Sequence, residues 1–173
     1  ELLLRAVGEY PHNLGEGKLE SGQENNLYYL LGLVQEKLGE AKDAFESLTR
    51  ACCGESEPVG MMYYNDQPPE MIYYQGLAYR MLGEEEQAVR RFQKLVDYGR
   101  EHIRDDVKID YFAVSLPDLL IFEENLNERN RKHCLFMMSL GLKGLGRIDE
   151  AEKCAEELLA MDNAHQEIRV HDL

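Results

Sequence analysis

A skeleton of small and apolar residues occurs three times in this chain with one internal spacing. The copies are Tyr28, Gly32, Gly39, Ala44 and Ala51; Ile72, Gly76, Gly83, Ala88 and Leu95; and Leu135, Ser139, Gly146, Ala151 and Leu158. In each, the last four positions are seven, five and seven residues apart. Such self-similarity marks a repeat architecture, in which each unit buries its apolar face only by stacking on the next. A solenoid of this kind usually works through its surface rather than through a catalytic pocket.

Each copy reads as two helices joined by a tight turn. Ser21-Gly22-Gln23-Glu24 has the form of a capping box ahead of the apolar run from Leu27 to Val34. Gly39 then follows the first helix, where a left-handed residue is wanted, and the second helix starts at Glu40. The small residues at 32, 76 and 139, and Ala44, Ala88 and Ala151 opposite them, allow two helices to approach closely. A bulky side chain there costs about 1–3 kcal/mol by overpacking.

These residues resemble the signature of the tetratricopeptide repeat: Leu31-Gly32, Leu38-Gly39, Ala44 and Ala51; Gly76, Tyr79, Leu82-Gly83, Ala88 and Phe92; Leu145-Gly146, Ala151 and Leu158, with Asp162-Asn163 closing the unit. Ser139 stands where the family has glycine, and Ala155 where it has an aromatic. The resemblance implies an all-α fold, a right-handed superhelical stack of helix-turn-helix repeats with inserted loops and an extra helix. The expected organisation is a single domain over 1–173, with units at 25–58, 69–103 and 132–165 and an insertion at 104–131. Leu3, Ala6 and Pro11 have the spacing of the end of a preceding unit at 1–11, which makes the chain read as a fragment of a longer protein.

The period exceeds that of plain repeats. Ala6, Ala51, Leu95 and Leu158 are 45, 44 and 63 residues apart, against roughly 34 for the simple unit. The added segments are aromatic and apolar, and are expected to pack on the repeats. Ser115 and Pro117 begin a short extra helix running to about Glu124. The strings Tyr10-Pro11-His12-Asn13-Leu14-Gly15-Glu16-Gly17, Tyr63-Tyr64-Asn65-Asp66-Gln67-Pro68-Pro69 and Ile109-Asp110-Tyr111-Phe112 are similar to those of a group of large bacterial proteins. In that group a β-rich, carbohydrate-related N-terminal domain precedes an array of such repeats. The resemblance implies no particular activity.

Composition narrows the partners. The net charge of −14 repels nucleic acid and acidic membrane surfaces, and no basic patch interleaved with aromatics offsets it. No apolar stretch reaches the length that spans a bilayer. The four cysteines, Cys52, Cys53, Cys134 and Cys154, fit no zinc spacing and read as small buried helical residues in a reducing, cytoplasmic setting. The five histidines form no metal pair, and there is no phosphate loop or nucleophile elbow. The expectation is a chain that is not an enzyme and carries no catalytic residue, metal or cofactor.

Two candidate sites remain. By register, the inner positions of the first helices are Tyr29 and Leu33, Tyr73 and Leu77, and Phe136 and Leu140. Each pair is four residues apart and shares a helix face. Arg80 flanks this stripe, with Asn26, Glu36, Lys37, Glu70, His133 and Lys143. The stripe serves either as a groove for a protein or peptide, or as the seat of the third insertion or a neighbouring domain. The length and apolar content of that insertion favour the seat. A basic clamp for acidic C-terminal tails is not expected, because Asn26, Tyr29, Leu33, Tyr73 and Leu77 occupy its places. The second site is a pair of loops, His12-Asn13 and Tyr63-Tyr64-Asn65-Asp66. Their tyrosines and amides can stack on and hydrogen-bond a sugar, although the same residues are equally turn and helix-start signals. The expected function is a noncatalytic interaction or scaffolding module. The alternative is an ancillary domain that packs on and orders a carbohydrate-active β-rich domain of the same chain.

Overall fold

The computed structural model describes residues 1–9, 23–60, 67–107 and 125–171. These form eight α-helices and no strand: α1 (Leu2–Gly8), α2 (Asn25–Leu38), α3 (Ala41–Ala51), α4 (Pro69–Met81), α5 (Glu85–His102), α6 (Leu126–Gly144), α7 (Ile148–Met161) and α8 (Gln166–Val170). None is long and apolar enough to cross a membrane. The loops 12–13 and 63–66, Pro11 and the helix expected between Ser115 and Glu124 lie outside the described residues.

Three helical hairpins follow from three equivalent turns. Gly39, Gly83 and Gly146 sit at φ of 80°, 81° and 74°. The N–H of each bonds to the carbonyl three residues back, and the next N–H to the carbonyl five back, at 2.9–3.0 Å in every case. This double closure satisfies carbonyls that the ending helix leaves unpaired, and it needs the left-handed residue that glycine supplies. Carboxylates then lie in the first turn of each second helix, namely Asp43, Glu85 and Glu86, and Asp149 and Glu150, where the helix dipole favours them.

Within the first two hairpins, small residues face large ones. A Cβ on Gly32 would lie 2.7 Å from Cγ of Leu48, and one on Gly76 would run into the Phe92 ring. Sixteen residues separate each pair, and the same register in the third hairpin joins Ser139 to Ala155.

Each later first helix also packs on both helices of the preceding hairpin, α4 on α2 and α3, and α6 on α4 and α5. The main core spans the second and third hairpins around Phe92, Leu95, Leu135, Leu140 and Leu158, whereas Leu48, Ala51 and Ala78 form a small separate cluster. The joint between the first and second hairpins is correspondingly polar. Asn25 donates through Nδ2 to the carbonyls of Ala51 and Cys53 at 2.8 and 2.7 Å. Gln75 donates to those of Cys53 and Glu55 at 3.1 and 2.8 Å, and accepts from Arg91 Nε at 3.1 Å.

Several local expectations change. Helix α2 begins at Asn25 with Glu24 in the cap position and no side-chain cap, so the Ser21–Glu24 box does not define its start. Helix α6 reaches back to Leu126, capped by the Asn125 side chain, so residues 126–131 are its first turns rather than the end of the insertion. The cysteines are not uniformly buried. Cys134 is buried, Cys52 and Cys154 are half-buried, and Cys53 is exposed beyond the end of α3. The Asn25 amide takes the carbonyls of Ala51 and Cys53, and the helix ends there. Burial pushes the Cys52 and Cys134 thiols up to about 12.

Candidate functional site

Rings from α2, α4, α6 and the two ends of α8 lie against one another. Tyr29 of α2 lies 5.5 Å from Tyr74 of α4, centroid to centroid, and Tyr74 lies 5.8 Å from Tyr73. His171, just beyond α8, sits 5.8 Å from Tyr73, 5.6 Å from Tyr74 and 5.9 Å from Phe136. His165, which caps α8, is 5.3 Å from Phe136. Offset and edge-on rings at these separations attract one another beyond their shared burial. Burial pushes the Tyr73 phenol up to about 12 and those of Tyr29 and Tyr74 upward, so all three stay neutral donors at physiological pH.

The six stripe residues divide into two groups. Tyr29, Leu33 and Leu77 are partly buried. Tyr73, Phe136 and Leu140 are buried, at 7%, 4% and 0% exposure. Ile168 of α8, itself fully buried, shares their core cluster, and Lys143 Nζ donates to the His171 carbonyl. Phe136 thus lies against both ends of α8, while Leu77 packs against the main core cluster and Tyr29 against the small one.

Arg80 is a tie between hairpins. Its guanidinium forms a fork with Glu85 at 2.7 and 2.9 Å, donates to the Gly144 carbonyl at 2.9 Å and lies 5.0 Å from the Phe92 ring centroid. Of the flanking residues, His133 bonds the Val59 carbonyl at 2.8 Å. Tyr74, His165, Ile168 and His171 join this cluster but have no place in the stripe read from the sequence. Their signal was the spacing of His165, Ile168 and His171, three residues apart on one helix face.

A cleft of about 370 Å³ opens where the N-terminal ends of α4 and α8 meet α6. Pro69 and Phe136 supply apolar wall, and Glu70, Lys132, His133, Asp162 and Glu167 supply polar groups. Lys132 Nζ stands 3.7 Å from Glu128 and 3.6 Å from Asp162. Among the described residues no group of three or more His, Cys, Asp or Glu side chains is arranged to hold a metal ion.

Burial holds the Glu70 carboxyl above its usual 4.5, against the pull of its own backbone N–H and of His171, while Glu167 adds to the rise. The folded chain thus keeps this proton more tightly than the unfolded chain. The stability this group confers is full below pH 4.5 and lost as pH rises through the elevated folded value. Glu70→Gln should therefore stabilise the protein near pH 7 and change little near pH 3 in urea titrations. A variant less stable than the parent near neutrality would show instead that the ionised carboxylate is held favourably.

Residues 70–98 match the family model described as Tetratricopeptide repeat. The matched tetratricopeptide segment runs from the first turn of α4 through most of α5 and contains Gly76, Gly83, Ala88 and Leu95 of the skeleton. Outside that segment the likeness to the tetratricopeptide unit rests on the shared turn bonds and the small-to-large pairs. No solved structure matches the chain.

Proposed function

We propose that this chain is a noncatalytic protein-interaction or scaffolding module, wound as a right-handed superhelical stack, that binds a protein or peptide on its inner face. The observation that carries the reading is the partly exposed patch of Tyr29, Leu33 and Leu77 with the adjoining Tyr74, on and beside a segment similar to the tetratricopeptide repeat. Repeats of that family generally mediate protein–protein contacts. Partly exposed leucines next to neutral tyrosines supply apolar area with hydrogen-bond donors at its edge, the composition of a peptide groove.

Selection of displayed helical peptides on the intact chain tests this. Binders should lose at least about tenfold in affinity for a Leu33→Glu/Leu77→Glu variant that retains its helical circular dichroism. Peptides that bind both proteins equally would remove the inner face as the site.

One observation favours a second reading, that the chain packs on and orders a neighbouring domain. Leu30, Val34 and Leu38 of α2 are exposed, as is Phe45 of α3. Their register equivalents in the matched unit are Tyr74, Ala78 and Leu82, of which Ala78 is buried in the small cluster with α3. The corresponding face of the first hairpin is thus apolar and outward-facing.

A further inference from the structure

Resting on that reading of the inner face, we propose that its partner is a short amphipathic helix with one aliphatic anchor bracketed by rings three residues away on either side, and that α8 is the chain's own occupant of that seat. Helix α8 has five residues, far too few to be stable alone. Its place is set by side chains. Ile168 enters the core cluster with Tyr73, Phe136 and Leu140, and His165 and His171 lie against the rings of Phe136, Tyr73 and Tyr74. This is helix-in-groove recognition, with anchors repeating along one face.

The seat continues beyond its occupant. Tyr74 touches both His171 and Tyr29, so the surface that holds α8 runs without a break into the partly exposed stretch of Tyr29, Leu33 and Leu77. A partner helix longer than α8 can use both parts.

Helix α8 also fits imperfectly. His171 Nδ1 bonds the Glu167 carbonyl at 2.7 Å, but its Nε2 is buried without a hydrogen-bond partner. A buried polar atom left unsatisfied is costly. An aromatic ring at that place makes the same ring contacts and carries no such atom. Such a helix, supplied in trans, displaces α8 and takes over its contacts with Tyr73 and Phe136.

The test uses a labelled peptide copying residues 162–173, titrated by fluorescence anisotropy against the full chain and against a full-length Ile168→Ala variant. In the parent the seat is filled, which lowers the apparent affinity by the fraction of molecules with α8 released. The Ile168→Ala chain should therefore bind the peptide at least about tenfold more tightly than the parent. A peptide carrying phenylalanine in place of His171 should bind more tightly still, and one carrying Ile168→Ala should not bind. If the Ile168→Ala chain does not melt cooperatively, a full-length His171→Ala chain takes its place, since it loosens α8 without opening a core cavity. Equal binding to parent and variant, or no binding to a folded variant, overturns the proposal. If peptides selected by display depend on Leu33 and Leu77 while the 162–173 peptide does not bind, this inference falls and the interaction reading stands. If neither kind binds, both fall.

Discussion

Replacing Phe92 with alanine should lower the unfolding free energy by about 3–5 kcal/mol. The ring has no exposed surface and lies where two units meet. It fills the spaces left by Gly76 of α4 and Gly144 of α6, sits 5.7 Å from the Tyr73 ring and lies under the Arg80 guanidinium. Alanine would leave a cavity between three helices that are themselves held by the neighbouring core, so little of the void can close. The control is Phe45→Ala, at a side chain 64% exposed, which should stay within about 0.5 kcal/mol of the parent. Urea titration of both variants decides the matter. Equal losses would mean that Phe92 does not join the second and third hairpins.

The second large effect is expected from Gly141→Leu, which adds bulk where α6 crosses α5. Even a Cβ there would fall 2.5 Å from the Phe92 carbonyl oxygen and 2.7 Å from Val96 Cγ2. A backbone oxygen inside a helix cannot rotate aside, so the two helices must separate along their seam. The cost is about 1–3 kcal/mol from overpacking alone, and the displaced α6 carries Phe136 and Leu140 away from α8. Thermal melts should place this variant below Gly39→Ala, where the added methyl meets open space and only the left-handed φ is strained, at about 1 kcal/mol. The reverse order would show that backbone conformation, not helix proximity, sets the tolerance of these glycines.

The hairpins were legible in the sequence because their signals are local. A glycine seven residues after a small residue marks a helix exit, and all three such glycines close the same pair of hydrogen bonds. The small positions were legible for the same reason. The start of α6 had a readable signal in Asn125-Leu126-Asn127-Glu128, a capping pattern that the period of the repeat obscured. The candidate site was less legible. That the ends of α8 lie against Phe136 could not be read, because five residues are too short to show helical periodicity. A histidine in a sequence reads first as a metal ligand, which hides the bracket of His165 and His171 around Ile168. Arg80 reads as a groove residue in one dimension, yet its fork is committed to Glu85 and Gly144. Cys53 likewise depends on a distant amide, that of Asn25, which no window around the cysteine contains.

The two joints of the array are built from different materials, and this bears on how the molecule comes apart. Between the second and third hairpins lies the shared core around Phe92; between the first and second lie a three-residue cluster and the amides of Asn25 and Gln75. In a linear array each unit draws its cooperativity from its neighbour's interface. The helices α4 to α8 are therefore expected to open as one cooperative block, while α2 and α3 form a foldon that opens at lower free energy with those helices still folded.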